Sequence, residues 1–388
     1  MRQTPSPTDT AARPRTGPAY LVLALAFFDN LSILPVLPDY AARLGTSPAL
    51  IGLIVAAYSM TNLPGNVLFG HLADRYGRKP PLLIGLLGTA LVLVGYTHVR
   101  SPLELLLLRA LHGFTASPLT PAAVAAIADQ SPGGETRARA AGRIGAVIGL
   151  VATLAPPSGG IIAERLGPEG LFWLLFGLLI ACILVVGIRF AETLEPITPG
   201  GPVPAPWTLL RDPRLLSVYT GALGLTFAMG VVTVYMPLLV LRAGYGVQTS
   251  GMAFGFFSLL AVLFMLLLRD RGGQTTVQWR RLHLGFLGLA LGLLLLEEER
   301  AVLFGAMGLF GSGFGLLFPA LTVLLQAYCP PGSRAAALGL FFALYSLGII
   351  LGQTSAGLFL EANLPPHRAA SVLALLVSLL VGLLRRRG

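Results

Sequence analysis

Residues 70–79 read GHLADRYGRK, a run with five ionisable side chains between two long apolar stretches. Charge at this density is not accommodated in the hydrocarbon of a bilayer, where backbone and side-chain polar groups need internal partners. The run is therefore predicted to be a short loop at the water interface between two membrane helices. It indicates an α-helical membrane protein rather than a soluble domain.

The composition supports the same class. The chain of 388 residues is 55% hydrophobic and only 11% charged, too little polar surface to cover a soluble globule of that size. Twelve apolar segments of roughly 20 residues, the length that spans the hydrocarbon, are predicted as membrane helices. They cover about 19–40, 48–70, 81–98, 102–128, 140–163, 169–189, 214–240, 248–268, 280–296, 301–327, 335–360 and 367–384.

The basic residues set the predicted orientation. With both termini in the cytoplasm, 20 of the 27 Lys and Arg residues fall on the cytoplasmic side and six on the outside. This bias predicts a multi-pass protein of the plasma (inner) membrane with cytoplasmic termini. The net charge of +10 thus indicates topology and not a nucleic-acid partner. The remaining basic residue, Arg109, lies inside the fourth segment.

The chain contains an internal repeat. DRYG at 74–77 recurs as DRGG at 270–273, and five further positions, from Arg137 to Glu164, recur with a constant shift of 197 as Arg334 to Glu361. A proline-rich stretch near mid-chain predicts a linker between the halves. We expect a tail at 1–17, a six-helix bundle at 18–190, a linker at 191–212 and a second six-helix bundle at 213–388, related in parallel.

Residues 70–79 match the G-x-L-A-D-R-x-G-R-K loop between the second and third helices of the major facilitator superfamily. This resemblance implies two bundles around a single cavity that is lined by the first, fourth, seventh and tenth helices. It also implies a conformational latch, in which Asp74 contacts the start of the eleventh helix near Arg334 and Arg75 or Arg78 pairs with Asp129. The alternative is a solvated loop that only sets topology. The latch residues are predicted to be Gly70, Asp74, Arg75, Gly77, Arg78, Lys79, Asp129 and Arg334.

Two further stretches resemble twelve-helix drug–proton antiporters, including tetracycline exporters. Residues 29–38, DNLSILPVLP, resemble their first-helix motif, in which an acid precedes an I-x-P-V-L-P run. Residues 155–160, APPSGG, resemble the antiporter motif G-P-x-x-G-G with alanine at the first glycine. The resemblance implies a gating helix contact typical of exporters, and the alternative is ordinary close packing of small residues. The motif residues are Pro156, Pro157, Gly159 and Gly160.

Asp29 is the only one of 17 carboxylates that is predicted to lie deep in a span. A charge at mid-membrane costs about 3 kcal/mol on insertion scales unless it is paired or hydrated, and such residues are functional by default. Asp29 is therefore predicted to carry a proton or bind a cation. The alternative is a structural contact with Asn30 or Ser32.

Arg109 is predicted to lie within roughly 5 Å of the depth of Asp29, so the two side chains are expected to meet across a cavity. Arg109-x-x-His112-Gly113 resembles the R-x-x-Q-G motif of the family's fourth helix, with histidine in place of glutamine. His112 shares a helical face with Arg109. It either relays protons or replaces glutamine as a neutral hydrogen-bonding residue. Asp29, Arg109 and His112 are the predicted proton-coupling residues.

The predicted function is secondary transport by alternating access, as proton-coupled efflux of small lipophilic compounds or drugs. A proton-coupled importer of an organic anion or sugar-like solute is the alternative, and a polytopic membrane enzyme is a third, less favoured one. We expect no catalytic residue, no cofactor and no metal. The expected partners are a small-molecule substrate, protons and the lipid bilayer, and a monomer suffices. The predicted substrate-cavity residues are Asn30, Ile33, Phe227, Tyr235, Phe314 and Gln326.

Overall fold

The computed structural model describes residues 16–131, 134–193, 206–268, 274–330 and 333–387. The predicted tail up to residue 15, most of the linker and the second charged loop at 269–273 lie outside these ranges. Within them all regular structure is helical, with a short 3₁₀ turn at Pro206–Arg211. The α-helices are α1 Gly17–Ile33, α2 Leu37–Arg43, α3 Pro48–Tyr76, α4 Lys79–Tyr96, α5 Pro102–Ala116, α6 Leu119–Asp129, α7 Gly134–Arg189, α8 Pro213–Arg242, α9 Val247–Leu267, α10 Thr275–Leu294, α11 Arg300–Tyr328, α12 Arg334–Glu361 and α13 Pro366–Arg387.

These described helices form twelve spans. Eight are individually long and apolar enough to cross a bilayer, and α1 and α2, bent by 43°, together make a ninth. Helices α5 and α6 form one span that is interrupted at Ser117 and Pro118. Helix α7 consists of two arms, because Gly167 inside it has φ 76° and ψ 165°. The predicted all-α fold with twelve spans is confirmed.

Local sequence sets the helix ends. Ser47 and Ser101 accept hydrogen bonds from the amides of the first turns of α3 and α5, and proline follows each of them, as is favourable at a first helical position. Pro35 lacks an amide proton, and α1 ends just before it. The short α2 then continues the first span in a new direction.

We name two sides of the molecule. The basic side carries the connection from α3 to α4 at residues 76–79 and the start of α12. The opposite side carries the bends from α2 to α3 and from α8 to α9. The N half comprises α1 to α7, and the C half comprises α8 to α13.

The halves contact each other through two matched helix crossings near the opposite side. Gly160 of α7 and Gly251 of α9 approach so closely that a Cβ on either would lie 3.1 Å from the Cα of the other. Gly52 of α3 and Gly357 of α12 repeat this contact at 3.0 Å. Only glycine permits backbones to approach this closely. The internal repeat is therefore visible as a pseudo-twofold arrangement of crossings.

The crossings separate toward the basic side. Along α7, Gly149 still faces Val262 of α9 at 3.2 Å from its Cβ position, whereas Gly145 and Gly142 have no neighbouring atom within 4 Å. Gly339, near the basic end of α12, also faces open space. Among the described residues, the two halves are thus closed together on the opposite side, and the glycines of α7 and α12 nearer the basic side face no neighbouring helix.

Candidate functional site

The predicted acid lies in the interior of the N half. Asp29 of α1 is 2% exposed, and its Oδ2 lies 2.7 Å from Nε2 of His112 on α5. The hydroxyl of Ser32 donates to the backbone carbonyl of Asp29 at 3.1 Å, and not to its carboxylate. Asp29 is therefore bonded to an ionisable partner on another helix.

His112 is fully buried and links Asp29 to a tyrosine. Its Nδ1 lies 3.1 Å from the hydroxyl of Tyr96 on α4, and the ring of Tyr58 on α3 meets it edge-on at 5.3 Å. A neutral imidazole would donate to Asp29 and accept from Tyr96, and an imidazolium would donate to both. The imidazolium would keep Asp29 and Tyr96 as partners but could not accept from Nη1 of Arg109, which lies 3.5 Å from Nδ1.

Arg109 is held beside this chain of hydrogen bonds. Its Nη2 donates to Oδ1 of Asn30 at 3.0 Å, and its guanidinium carbon lies 4.6 Å from the centre of the Tyr58 ring. Its Nη1 lies 3.5 Å from Nδ1 of His112. Asp29 and Arg109 were expected to contact each other directly, but His112 lies between them. Asp29 bonds to His112 and the adjacent Asn30 bonds to Arg109, and these two partners share one face of α5.

Two polar atoms of this cluster have no hydrogen-bond partner among the described residues. They are Oδ1 of Asp29 and Nε of Arg109, both buried. A buried acceptor and a buried donor left unpaired are costly, and each such atom in a native site calls for an explanation. An exchanging proton, water or a substrate group would satisfy them.

The charged loop forms a second polar site on the basic side. Arg78 is buried, and its side chain pairs with Asp74 at 2.5 Å and with Asp129 at 3.2 Å. Burial alone would lower the pKa of Arg78, but the two carboxylates outweigh it and raise that pKa. Of the two arginines predicted to pair with Asp129, the structure brings Arg78 to it. Arg75 instead lies over the ring of Tyr76 at 5.3 Å.

The structure does not bring Asp74 to the start of α12. Its side chain is 55% exposed and turned to Arg78 on the next helical turn, and Gly70 has open space around it. The side chain of Arg334 lies outside the described residues. The predicted contact of Asp74 with α12 is thus replaced by one with Arg78.

Glu192, in the chain after α7, is part of this loop site and had no sequence signal. Its carboxylate accepts from the amides of Arg78 at 2.7 Å and Lys79 at 3.0 Å, at the start of α4. Lys79 also donates through Nζ to the carbonyl of Gly187. Gly77 has φ 98°, and a Cβ there would collide with the Glu192 carboxylate, so both backbone and space require glycine.

The antiporter-motif residues lie at helix contacts. A Cβ on Gly159 would collide with the carbonyl oxygen of Ser32 on α1, and Gly160 forms the crossing with Gly251. Pro156 contacts α9 through its carbonyl and Pro157 through its ring, opposite Gly251 and Gly255. The motif thus joins the helix that carries Asp29 to α9 of the C half.

The predicted cavity residues divide into two groups. Asn30, Phe227 and Phe314 are half-buried and Gln326 is exposed, whereas Ile33 and Tyr235 are buried. Tyr235 stacks on His367 at 4.5 Å, so helix packing accounts for it. Phe314 instead stacks on Phe318 at 5.9 Å, and Phe318 meets Tyr345 of α12 at 6.1 Å. Tyr345 had no sequence signal. No group of three His, Cys, Asp or Glu in the described ranges is arranged to hold a metal ion.

Comparison with known proteins decides the family. A family model described as the Major Facilitator Superfamily matches residues 19–353. The chain belongs to the major facilitator superfamily. It is a multi-pass membrane protein and a secondary transporter.

Individual relatives agree with this assignment. This facilitator is 27% identical over 361 residues to the inner membrane transport protein YajR of Escherichia coli K12, covering 87% of this chain and 75% of YajR. It is 24% identical over 354 residues to the multi-drug resistance efflux pump PmrA of Streptococcus pneumoniae, covering 85% and 87%. It has a TM-score of 0.78 at 17% identity, over 96% of each chain, to a bacterial homologue of the human lysosomal transporter Spinster in an inward-facing, unoccupied conformation. That last likeness concerns the fold alone.

Proposed function

We propose that this facilitator exports small lipophilic compounds in exchange for protons, with Asp29 and His112 as the proton-carrying pair. The observation that carries the proposal is the 2.7 Å contact between two buried ionisable groups from different helices. When this pair gains or loses a proton, the charge of the cluster changes while the contact between Asp29 and His112 is kept. Arg109 lies beside the pair, with its Nη1 3.5 Å from Nδ1 of His112.

The walls of the site support a lipophilic substrate. The N half presents Asn30 and the ring of Tyr58, both half-buried, next to the charged cluster. The C half presents the aromatic side chains of Phe314, Phe318 and Tyr345 and, within its described spans, has no charged side chain at mid-helix. A flat or bulky apolar body fits the aromatic wall, and one polar or cationic group fits the N half.

The direction of transport rests on the positive-inside bias and on similarity. The bias of basic residues supports a cytoplasmic position for the basic side, where Gly142, Gly145 and Gly339 face open space. The motif at Pro156–Gly160 and the likeness to the efflux pump PmrA favour export. In this mechanism substrate enters from the cytoplasm as Asp29 releases its proton, and a proton from outside returns the empty carrier. The loop of Asp74 and Arg78 would contact α12 when the basic side closes.

One observation favours a second candidate, a proton-coupled importer of an organic anion. Among the described residues, Arg109 pairs with the neutral Asn30 and has no carboxylate within ion-pair distance. A desolvated guanidinium without a counter-ion attracts an anionic group. In that case Arg109 holds the substrate and Asp29 with His112 carries the cotransported proton.

Proteoliposomes containing an internal pH dye distinguish the two candidates. A gradient of each member of a panel is imposed, comprising lipophilic cations, tetracycline-like compounds and organic acids. We expect substrate flow to drive protons in the opposite direction in wild type, with the coupled proton flux lost in Asp29→Asn and retained in Asp212→Asn, the same chemical change at a helix cap. Proton flow along with an organic acid would establish the importer. Undiminished coupling in Asp29→Asn would overturn both.

A further inference from the structure

A second carboxylate of the first span is buried on the opposite side. Asp39 of α2 is 3% exposed, and its Oδ2 pairs at 2.7 Å with Nη2 of Arg43, whose side chain is 61% exposed. Its place at the end of the first apolar segment gave no indication of burial. The mechanism proposed above makes no use of Asp39.

Asp39 lies at the interface of the two halves. Helix α2 packs against α8, and Asp39 is the N-half residue that lines a small cleft between them. The remaining lining residues all belong to the C half. They are Pro237, Val240, Leu241, Tyr245, Val247 and Ser250. Because this contact lies on the closed side, separation of the halves there would expose Asp39 to water.

Among the described residues, the charges that act on Asp39 come from the N half. Arg43, on its own helix, favours the carboxylate, and Glu164, at the end of the first arm of α7, acts electrostatically against it. From α8, α9 and their connection, the cleft is lined by apolar side chains and the hydroxyls of Tyr245 and Ser250. Closure therefore removes water from a carboxylate without supplying a cation from the C half. Such desolvation is costly for a charge and much less so for a protonated acid.

We propose that Asp39 is a second proton-binding site and that its protonation from the opposite side favours closure of the two halves there. By linkage, proton binding and closure must strengthen each other to the same extent. The inference rests on the proposed function only in requiring alternating access. In an exporter it makes an acidic exterior drive the emptied, outward-open carrier back toward the cytoplasm.

Distances between spin labels on the two halves test the proposal. Arg100→Cys and Ala362→Cys, both at exposed positions near the opposite side, are labelled in a background with Cys182→Ala and Cys329→Ala, and distances are measured by pulsed electron spin resonance. Between about pH 8 and about pH 5, we expect wild type to shift toward the short distance, with the population ratio changing by at most about tenfold per pH unit for a single group. Asp39→Asn should keep the short distance at both values.

Two further variants make the result decisive. Arg43→Gln, which removes the cation beside Asp39, should favour the long distance at about pH 8 and match wild type at about pH 5. Asp29→Asn should retain the pH-dependent shift while it loses coupled transport, so the two proposals fail separately. A full wild-type shift in Asp39→Asn, or a shift abolished in Asp29→Asn, would refute the role of Asp39. If Asp39→Asn does not fold, an Arg43→Gln response equal to wild type at both pH values would do the same.

Discussion

The two halves keep matching helix crossings but differ in their polar interiors. The spacing between Gly160 and Gly251 differs by only 0.1 Å from the spacing between Gly52 and Gly357. The buried polar pair of the C half is neutral, with Gln353 donating to Thr233 at 3.2 Å, whereas the N half holds the charged cluster around Asp29. Both halves thus keep the close glycine crossings of the internal repeat, while the charged cluster lies in the N half.

The physical reason lies in the cost of each feature. A close crossing needs only glycine and costs little in a bilayer. A buried charge costs about 3 kcal/mol on insertion scales, so a matching charged cluster in the C half would add that cost again. The C half instead offers the aromatic wall of Phe314, Phe318 and Tyr345.

The largest effect is expected where the halves differ in a single methyl group. Gly159 faces the carbonyl of Ser32, and its repeat partner is Ala356, which already carries a Cβ and is buried. Gly159→Ala should destabilise the protein by about 3 kcal/mol, because a backbone atom has to move, and abolish transport. Thermal unfolding in detergent and a transport assay measure this.

Ala356→Gly is the matched control, with an expected cost of about 1 kcal/mol for a glycine inside a helix. Equal losses of stability in the two variants would mean that Gly159 has no closer neighbour than Ala356, which would contradict the expected result.

His112→Gln should reduce coupled transport by about tenfold, the equivalent of one neutral hydrogen bond, because the single glutamine amide cannot bond both Asp29 and Tyr96 as the imidazole does. It should also alter the pH dependence of the coupled flux, since glutamine donates to Asp29 but does not titrate. His283→Gln, which changes a C-half histidine that is bonded to Ser378 at 2.9 Å, should leave the coupled flux unchanged. A silent His112→Gln would assign the histidine a purely structural role.

Phe314→Ala should raise the KM for a lipophilic substrate by about tenfold, because aromatic contacts contribute about 0.5–1.5 kcal/mol beyond their buried area. The proton-to-substrate ratio should not change. Phe342→Ala, at a half-exposed position of α12, serves as control in the same uptake assay. A changed ratio in Phe314→Ala would place part of the coupling in the C half.

The smallest effect is expected at Glu192, whose carboxylate is exposed. Glu192→Gln weakens two hydrogen bonds at the start of α4 and should lower the stability by under about 1 kcal/mol. Glu135→Gln, which alters an exposed pair with Arg139, should have no measurable effect on the unfolding temperature. A larger loss at Glu192 would show that the chain after α7 holds the loop firmly in place.

Sequence by itself determined the twelve spans, the family loop and two of the buried charges, Asp29 and Arg109. These follow from segment length, from hydropathy and from the cost of charge in hydrocarbon, which act locally along the chain. The breaks in the first and fourth spans were not foreseen in detail, although Pro35 and Pro118 mark them.

Only the tertiary structure decided which of these residues meet. His112 lies between Asp29 and Arg109, Asp39 is buried at the interface of the halves, and Glu192 lies at the start of α4. Each of these contacts joins residues far apart in the chain and depends on how each helix is rotated about its axis and on which side the halves close. Hydropathy fixes that a helix spans the membrane, but packing against its neighbours fixes its rotation.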